Sequence, residues 1–292
     1  MEADGRRSER RWAGLGGLAM LAGFAALAVA GCSASSATPQ TIYVTPSPSL
    51  PAASTAPISA PTGTATAAPT TAPSAAPVAV APTVTSTTVN SSAPDNSWTV
   101  TFREPVVSGV AEAVLSAMND SIDTRVGAYI SSFNGTELPA VASGEGPSTL
   151  NGDFSVAYLS PSLLSLRFTI TTYITGAAHP LTEAGSINFD VSSGAVIQLS
   201  DLFTSPASAV PVLQTQAHAK LSALLGADLS WPASVTMADF ETGWVFTPAG
   251  LELTWSQGTI ASMAAGTPTI SIPWPSLASV IATPGPAAGF VA

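Results

Sequence analysis

The segment "LRFTITTYITGAAHPLTEAGSINFD", residues 166–190, places two alternating apolar and polar patterns around a stretch of small residues. Leu166, Phe168 and Ile170 recur at every second position, which is the period of a β-strand with one buried face. Gly176 and Pro180 interrupt the pattern, and both residue types favour turns. The segment therefore predicts two strands joined by a turn.

Further strand patterns surround this segment. An earlier strand ends at Ser160-Pro161, and the residues after Asp190 predict a hairpin that turns at 190–194. "GWVFTPAGLELTW" predicts another hairpin, and "PTISIPWPSL" predicts a closing strand. An edge strand is expected at "SWTVTFREP", ending at Pro105.

Two helices complete the pattern. Apolar residues spaced by three and four predict one helix between 107 and 130, with Ser108 as its N-cap. A second helix is expected over 207–225, with Gly226 ending it. Separated helices and local hairpins predict an α+β fold, in which an antiparallel sheet of hairpins packs against two main helices.

The N-terminus has the features of an export signal. Four arginines precede an uncharged stretch from Trp12 to Gly31, as in a secretory signal peptide. Val29-Ala30-Gly31-Cys32 resembles the lipobox of bacterial lipoproteins, in which the cysteine is acylated and becomes the mature N-terminus. An uncleaved membrane helix is the alternative. We expect residues 1–31 to be removed and Cys32 to anchor the protein at the outer face of the cytoplasmic membrane.

The next segment has the composition of a linker. Residues 33–94 contain eleven prolines and no charged residue, which predicts a semi-extended, disordered linker over 32–97. One α+β domain is expected over 98–292, with a helical part at 98–150. Cys32 is the only cysteine, so the domain has no cysteine for disulfides.

The charge of the mature chain restricts its partners. Four cations remain against fifteen acids after removal of 1–31, a net charge of −11. Such a surface disfavours nucleic acid and anionic lipid head groups, and it would attract a cationic protein. No spacing of histidines and cysteines suggests a metal site, and we expect no cofactor.

His179 is the residue that most invites a catalytic interpretation. Asp190, Glu183 or Asp201 could orient it, and Ser186 or Thr175 could act as nucleophile. A structural turn or contact with a ligand would equally explain a histidine between glycine and proline. No complete catalytic motif occurs, and His218 is expected to be a solvated or boundary residue of the second helix. The acid pairs Asp120/Asp123 and Asp239/Glu241 are expected to lie on the surface.

The region from Tyr173 to Phe203 resembles a family of extracytoplasmic domains of unknown function. The family is shared by the C-terminal domain of the anti-sigma factor RsiV, the accessory region of the deacetylase PdaC and secreted mycobacterial immunogenic proteins. The matching turn and strand residues, which we regard as candidate ligand-binding or signature positions, are Tyr173, Gly176, His179, Pro180, Asn188 and Asp190. A Leu-x-Asp-Leu-Phe run at 199–203 follows them.

The resemblance covers about 103–281 and implies a curved antiparallel sheet packed on helices, with the family's C-terminal domain at 151–285. It implies a cell-wall glycan or a wall-directed protein as ligand, and it does not indicate any activity. The leading hypothesis is therefore a lipid-anchored, non-enzymatic binding protein of the cell envelope. The alternatives are a hydrolase acting on glycan or ester substrates through His179, and an inhibitor or sensor of cationic wall hydrolases such as lysozyme.

Replacement of the predicted acylation site tests the anchor. Cys32→Ala is expected to leave the precursor unprocessed or to release the protein from the membrane fraction, because the thiol that carries the lipid is lost. Cell fractionation and labelling with a radioactive fatty acid measure the effect, with Ser33→Ala as the control. Unchanged membrane retention and labelling of Cys32→Ala would refute lipidation.

Overall fold

The computed structural model describes residues 80–291 except 137, 140 and 142–144. The predicted signal peptide, Cys32 and the linker as far as residue 79 lie outside the described residues. Within the described part, no helix has both the length and the apolar character needed to cross a bilayer.

Five strands form the larger sheet in the order in which they occur in the chain. They are β1 (Thr83–Ser92), β2 (Trp98–Ser108), β3 (Ser148–Leu159), β4 (Leu163–Tyr173) and β5 (Leu181–Asp190). All neighbouring pairs are antiparallel except β2 and β3, which are parallel because helix α1 (Glu112–Asn134) connects them as a crossover. The predicted α+β class is confirmed, although the sheet is mixed rather than purely antiparallel.

Among the described residues, the first strand begins at Thr83, inside the segment predicted to be linker. Strand β1 pairs along its whole length with β2, and only Val84 and Val89 are partly buried. Its sequence lacks an alternating apolar pattern, so composition alone suggested a linker. Valine and threonine have high β-propensity, and the free edge of β2 supplies the backbone partners. The expected boundary at residue 98 therefore lies too late in the chain.

Pro105 lies inside β2 and does not end it as expected. The N–H and the carbonyl of Val107 bond to the Asn119 side chain, at 3.0 and 3.1 Å, and so face away from β1. Pro105 is two residues from Val107, so its nitrogen faces away from β1 as well. On that side β2 no longer pairs with β3, because their pairing ends at Phe102. No ladder hydrogen bond is lost, which explains why proline is tolerated.

The Asn119 contacts also explain the position of α1. They hold Val107 in strand geometry, so the helix starts at Glu112 rather than near 107. The predicted Ser108 cap is wrong, since the N-cap is Ala111, which has no side-chain capping bond. Met118, Ile122, Val126 and Phe133 form the buried face of the helix.

A second sheet of three antiparallel strands lies further along the chain. It consists of β6 (Trp244–Phe246), β7 (Gly250–Thr254) and β8 (Thr269–Pro273), which confirms the predicted hairpin and closing strand. Helix α2 (Pro206–Leu225) begins after Ser205, whose hydroxyl accepts a bond from the Ser208 N–H at 3.2 Å, and it ends at Gly226 as predicted. Helices α3 (Ala238–Glu241) and α4 (Ala288–Val291) are single turns.

The hairpin expected around 190–194 is reduced to a turn. Residues 189 and 196 form one isolated bridge, and no second strand follows. The Asp201 carboxylate accepts a bond from the Gln198 N–H at 2.8 Å, which starts a 3₁₀ helix at Leu199–Leu202. This local cap directs the chain out of strand geometry.

Strand β4 faces a different core on each side. Leu166, Phe168 and Ile170 join the core between the large sheet and α1. Leu163 joins the core formed by α2 and the second sheet. Both faces of β4 are covered near its start. This explains why its first four residues, "LLSL", are almost all apolar.

Gly152 of β3 allows the Phe102 ring to lie directly against the sheet. A Cβ atom at 152 would lie 2.1 Å from two ring carbons of Phe102, which is itself fully buried. Gly152→Ala is therefore expected to lower the free energy of unfolding by about 1–3 kcal/mol, since the core must shift. Chemical denaturation measures this change.

Gly127 provides the matched control. It lies within α1, and an added Cβ meets nothing within 4 Å. Gly127→Ala is expected to raise stability by up to about 1 kcal/mol through helix propensity. Equal effects of the two substitutions would contradict the packing described for Phe102.

Candidate functional site

The predicted signature residues lie at two ends of strand β5. Gly176, His179 and Pro180 belong to the β4–β5 turn and Tyr173 ends β4 beside it, whereas Asn188 and Asp190 lie at the other end of β5. A ten-residue strand is about 30 Å long. The six positions therefore do not form one site.

His179 is exposed at the tip of this turn. Its Nδ1 lies 3.2 Å from the carbonyl oxygen of Pro180, and no carboxylate or hydroxyl bonds to it among the described residues. Gly176, with φ of 83°, supplies the left-handed backbone that the turn needs. The geometry matches the interpretation of the segment as strand, turn and strand.

Thr175, rather than His179, fastens the turn. Its hydroxyl donates to the carbonyl of Gly146 at 2.9 Å and accepts from the Ser148 hydroxyl at 3.2 Å. The Thr175 N–H in turn bonds to the Ser148 hydroxyl at 3.0 Å. The hydroxyl considered as a nucleophile is thus buried and occupied by structural bonds.

Asn188 forms a buried polar connection between the two sheets. Its Nδ2 donates to the Trp244 carbonyl at 3.1 Å, and its Oδ1 accepts from the Ser165 hydroxyl. That hydroxyl accepts from the Phe246 N–H at 3.0 Å. Asn188 and Ser165 are almost fully buried, so the role of Asn188 is to hold the two sheets together.

Asp190 borders a cavity of about 730 Å³, here called the Asp190 cavity. Tyr158, Ser162, Leu163, Ser192 and residues between Pro284 and Phe290 complete its walls. The Asp190 carboxylate accepts bonds from the Ser192 N–H at 2.8 Å and the Ser192 hydroxyl at 2.6 Å. Partial burial acts to raise the pKa of Asp190, but bonds from Ser192 and Ser193 outweigh it and hold the pKa below its ordinary value.

A second cavity, of about 470 Å³, lies between α3 and the segments before and after it. It is called the tryptophan cavity here, because Trp231 and Trp255 both line it. Their ring centroids are 6.3 Å apart and their planes meet at 69°. Val235 and Ile260 add aliphatic surface to the floor.

Polar groups surround this aromatic floor. They belong to Ser230, Asp239, Thr242, Ser256 and Thr259. The Asp239 Oδ2 atom accepts from the Thr236 N–H and hydroxyl, at 2.6 and 2.8 Å, which leaves Oδ1 able to accept from a ligand. An apolar floor with a few polar rim groups is the usual construction of a small-ligand pocket.

The two indoles have different surroundings. Trp255 is buried and donates through Nε1 to the Asp239 carbonyl at 3.2 Å. Trp231 is half-buried, and its Nε1 has no acceptor among the described residues. His218, exposed on α2 as expected, meets Trp231 edge to face at 5.7 Å. Trp231 is therefore held by ring contacts rather than by a hydrogen bond.

Sequence reasoning did not identify this cavity. Its lining residues come from positions 230–242 and 255–260, which share no periodic pattern or spacing motif. The cluster of tryptophans in an otherwise aromatic-poor chain was the only available signal. Of the predicted acid pairs, only Asp239 lines the tryptophan cavity.

One pair of acidic residues is brought together by the fold and was not predicted from the sequence. Glu104 of β2 is buried beside Asp123 of α1. Burial, and then the neighbouring Asp123 charge, raise the pKa of Glu104. Within the described residues no group of three or more histidine, cysteine, aspartate or glutamate side chains is arranged to hold a metal ion.

The geometry defines an α+β domain that carries the Asp190 cavity and the tryptophan cavity. Residues 200–275 match the family model described as "Protein of unknown function (DUF3298)". No curated protein matches the sequence. The predicted resemblance to a domain family of unknown function is confirmed, and the narrower likeness to RsiV stays a prediction.

Two crystal structures of DUF3298 family proteins share the fold. The protein from Pseudomonas aeruginosa is 16% identical, with a TM-score of 0.52, and the match covers 68% of this chain and 94% of that one. The protein from Bacteroides fragilis is 15% identical, with a TM-score of 0.52, and the match covers 72% of this chain and 97% of that one. At this identity the similarity concerns the fold alone.

Removal of the buried amide tests the structural role of Asn188 between the two sheets. Asn188→Ala is expected to lower the free energy of unfolding by about 2–4 kcal/mol, because it leaves the Trp244 carbonyl and Ser165 hydroxyl unpaired. Thermal and chemical denaturation measure the loss. Asn151→Ala, at an exposed position of β3, is expected to change stability by less than about 0.5 kcal/mol. Comparable stability of the two variants would refute this assignment.

Proposed function

We propose that this protein is a lipid-anchored component of the cell envelope that binds a wall glycan in the tryptophan cavity without chemical turnover. The observation that carries the proposal is the pairing of two indoles on the floor with hydroxyl and carboxylate groups on the rim. The lipobox and the proline-rich linker support placement at the outer face of the cytoplasmic membrane.

A sugar ring presents the chemistry that this cavity complements. Its C–H groups carry slight positive charge and pack on the negative face of an aromatic ring. Its hydroxyl groups project at the edge, where Asp239 Oδ1 and the rim hydroxyls can bond to them. A volume of about 470 Å³ lies within the range of ligand pockets, about 300–1,000 Å³.

The charge of the lining favours a neutral glycan. Asp239 is its one charged side chain, and none of the lining residues is basic. An acidic polymer would meet this carboxylate and the excess of acids on the mature chain. N-acetylated sugars satisfy the requirement, because the acetamido group is uncharged and ends in an apolar methyl group.

The alternative hydrolase receives less support from the geometry. His179 is exposed, and the hydroxyl of Thr175 is used in structural bonds. A general base needs a hydrogen-bonded nucleophile and an orienting group, although these contacts tighten in some enzymes only when substrate binds. The alternative in which an acidic surface captures a cationic hydrolase predicts binding of lysozyme at low salt that weakens as screening increases.

Filling the cavity mouth tests glycan binding. Thr242→Arg places a bulky cation beside Asp239 and is expected to weaken binding of chitooligosaccharides or solubilised peptidoglycan roughly tenfold or more. Trp231→Ala is expected to weaken it similarly by removing the stacking surface. Isothermal titration calorimetry measures both affinities.

Thr101→Arg is the matched control, since Thr101 is exposed on β2 and lines neither cavity. It is expected to bind like the wild type, and affinity for the neutral glycan should change little between about 0.05 and 0.5 M salt. Wild-type affinity in Thr242→Arg and Trp231→Ala would exclude this cavity. Glycan cleavage that is lost in His179→Ala would instead establish the hydrolase.

A further inference from the structure

The Asp190 cavity has walls that the fold holds in place. Phe290 forms one wall and meets Tyr158 edge to face at 5.3 Å. Its ring also stacks on Trp274 at 4.6 Å, and Trp274 is buried in the core. The C-terminal segment is therefore fastened to the domain, and the cavity between it and β5 is preformed.

A single charge determines what this cavity can accept. Asp190 is the only charged residue among its lining groups, and its pKa lies below the ordinary value, so it is ionised at neutral pH. Both bonds from Ser192 end on Oδ1. A carboxylate has about four acceptor positions, so the group can accept a further bond from a ligand beside those from Ser192 and Ser193.

The other lining groups suit the remainder of a cationic ligand. The hydroxyls of Ser162, Ser192 and Tyr158 offer further acceptors for an ammonium group. Aromatic rings attract cations over their faces, and Tyr158 and Phe290 supply two such rings. Leu163 provides apolar surface for an aliphatic chain.

We propose that the Asp190 cavity binds a primary ammonium group carried on a short aliphatic chain, as in the side chain of a lysine residue. The Asp190 carboxylate pairs with the ammonium group while the aromatic and leucine side chains cover the methylene groups. This site is separate from the tryptophan cavity and does not depend on glycan binding there.

The test uses the full-length protein purified in detergent and Nα-acetyl-lysine methylamide as the probe. The wild type is expected to bind this probe and not the norleucine analogue, which lacks the ammonium group. Asp190→Asn is expected to weaken binding at least tenfold, while its amide oxygen retains the acceptor for Ser192. Calorimetric titration measures the affinities.

Asp95→Asn is the control for the loss of one carboxylate. Asp95 accepts a bond from the N–H two residues later, Ser97, at 3.0 Å, the same local arrangement that Asp190 makes with Ser192. It lies outside the cavity, and its substitution is expected to leave the affinity unchanged.

A second variant keeps the Asp190 carboxylate but makes it less available to the probe. Ser162→Lys places a tethered ammonium group at the cavity wall, where it should compete with the probe and weaken binding at least tenfold. The proposal is overturned if the wild type does not bind the probe, or if it binds the norleucine analogue equally well. Wild-type affinity in Asp190→Asn or in Ser162→Lys would also overturn it.

Discussion

The hydrogen bonds of Asn188 and Ser165 fix how the second sheet lies on the first. Both side chains are buried, and an unpaired polar group there would cost about 1–3 kcal/mol. A shift of β5 by one residue would turn Asn188 to the opposite face and break the bonds to β6. The register of β5 and the position of Trp244 are therefore determined together. The ion pair of Arg167 and Glu252 joins the same two sheets, two residues beyond Ser165 on β4.

This attachment has consequences for the rest of the large sheet. The second sheet covers the face of β4 that carries Ser165 and Arg167. Further along the same face, Thr169, Thr171 and Tyr173 are exposed or half-buried. The opposite face is filled along its length by the core under α1. The second half of β4 therefore alternates apolar and polar residues, whereas its first four residues are almost all apolar, because the second sheet covers only the first half.

The same arrangement explains which elements were predictable from sequence. The β3–β4 pair, the β6–β7 hairpin and α2 have strong local signals: alternating apolar positions, turn residues and caps. Strand β1 has no such signal because only two of its side chains reach the core, and its structure comes from pairing with β2. The parallel contact of β2 and β3 depends on the path of α1 over the sheet, which no local pattern encodes.

The candidate sites show the same limit more clearly. Asn188 was a signature position and candidate ligand-binding residue, but only the approach of β6 shows that it bonds to a backbone carbonyl. Trp231 and Trp255 meet because α3 and β7 lie between them in the chain and bring the two segments together. Asp190 was identified as a signature position, yet its cavity requires the C-terminal segment, about a hundred residues away in sequence. Contacts formed by distant segments are set by the tertiary packing, so a single sequence cannot reveal them.

Charge links the two cavities to the surface that carries them. Two of the four cations of the mature chain, Arg103 and Arg167, are in ion pairs with Asp153 and Glu252. Each cavity instead contains one carboxylate with an oxygen atom that can accept a further hydrogen bond. A ligand that donates hydrogen bonds satisfies such an oxygen, whereas an anion would meet a charge of its own sign in an acidic domain. Sugar hydroxyls and ammonium groups are both donors, so the same electrostatic constraint favours each of the two proposed ligand classes.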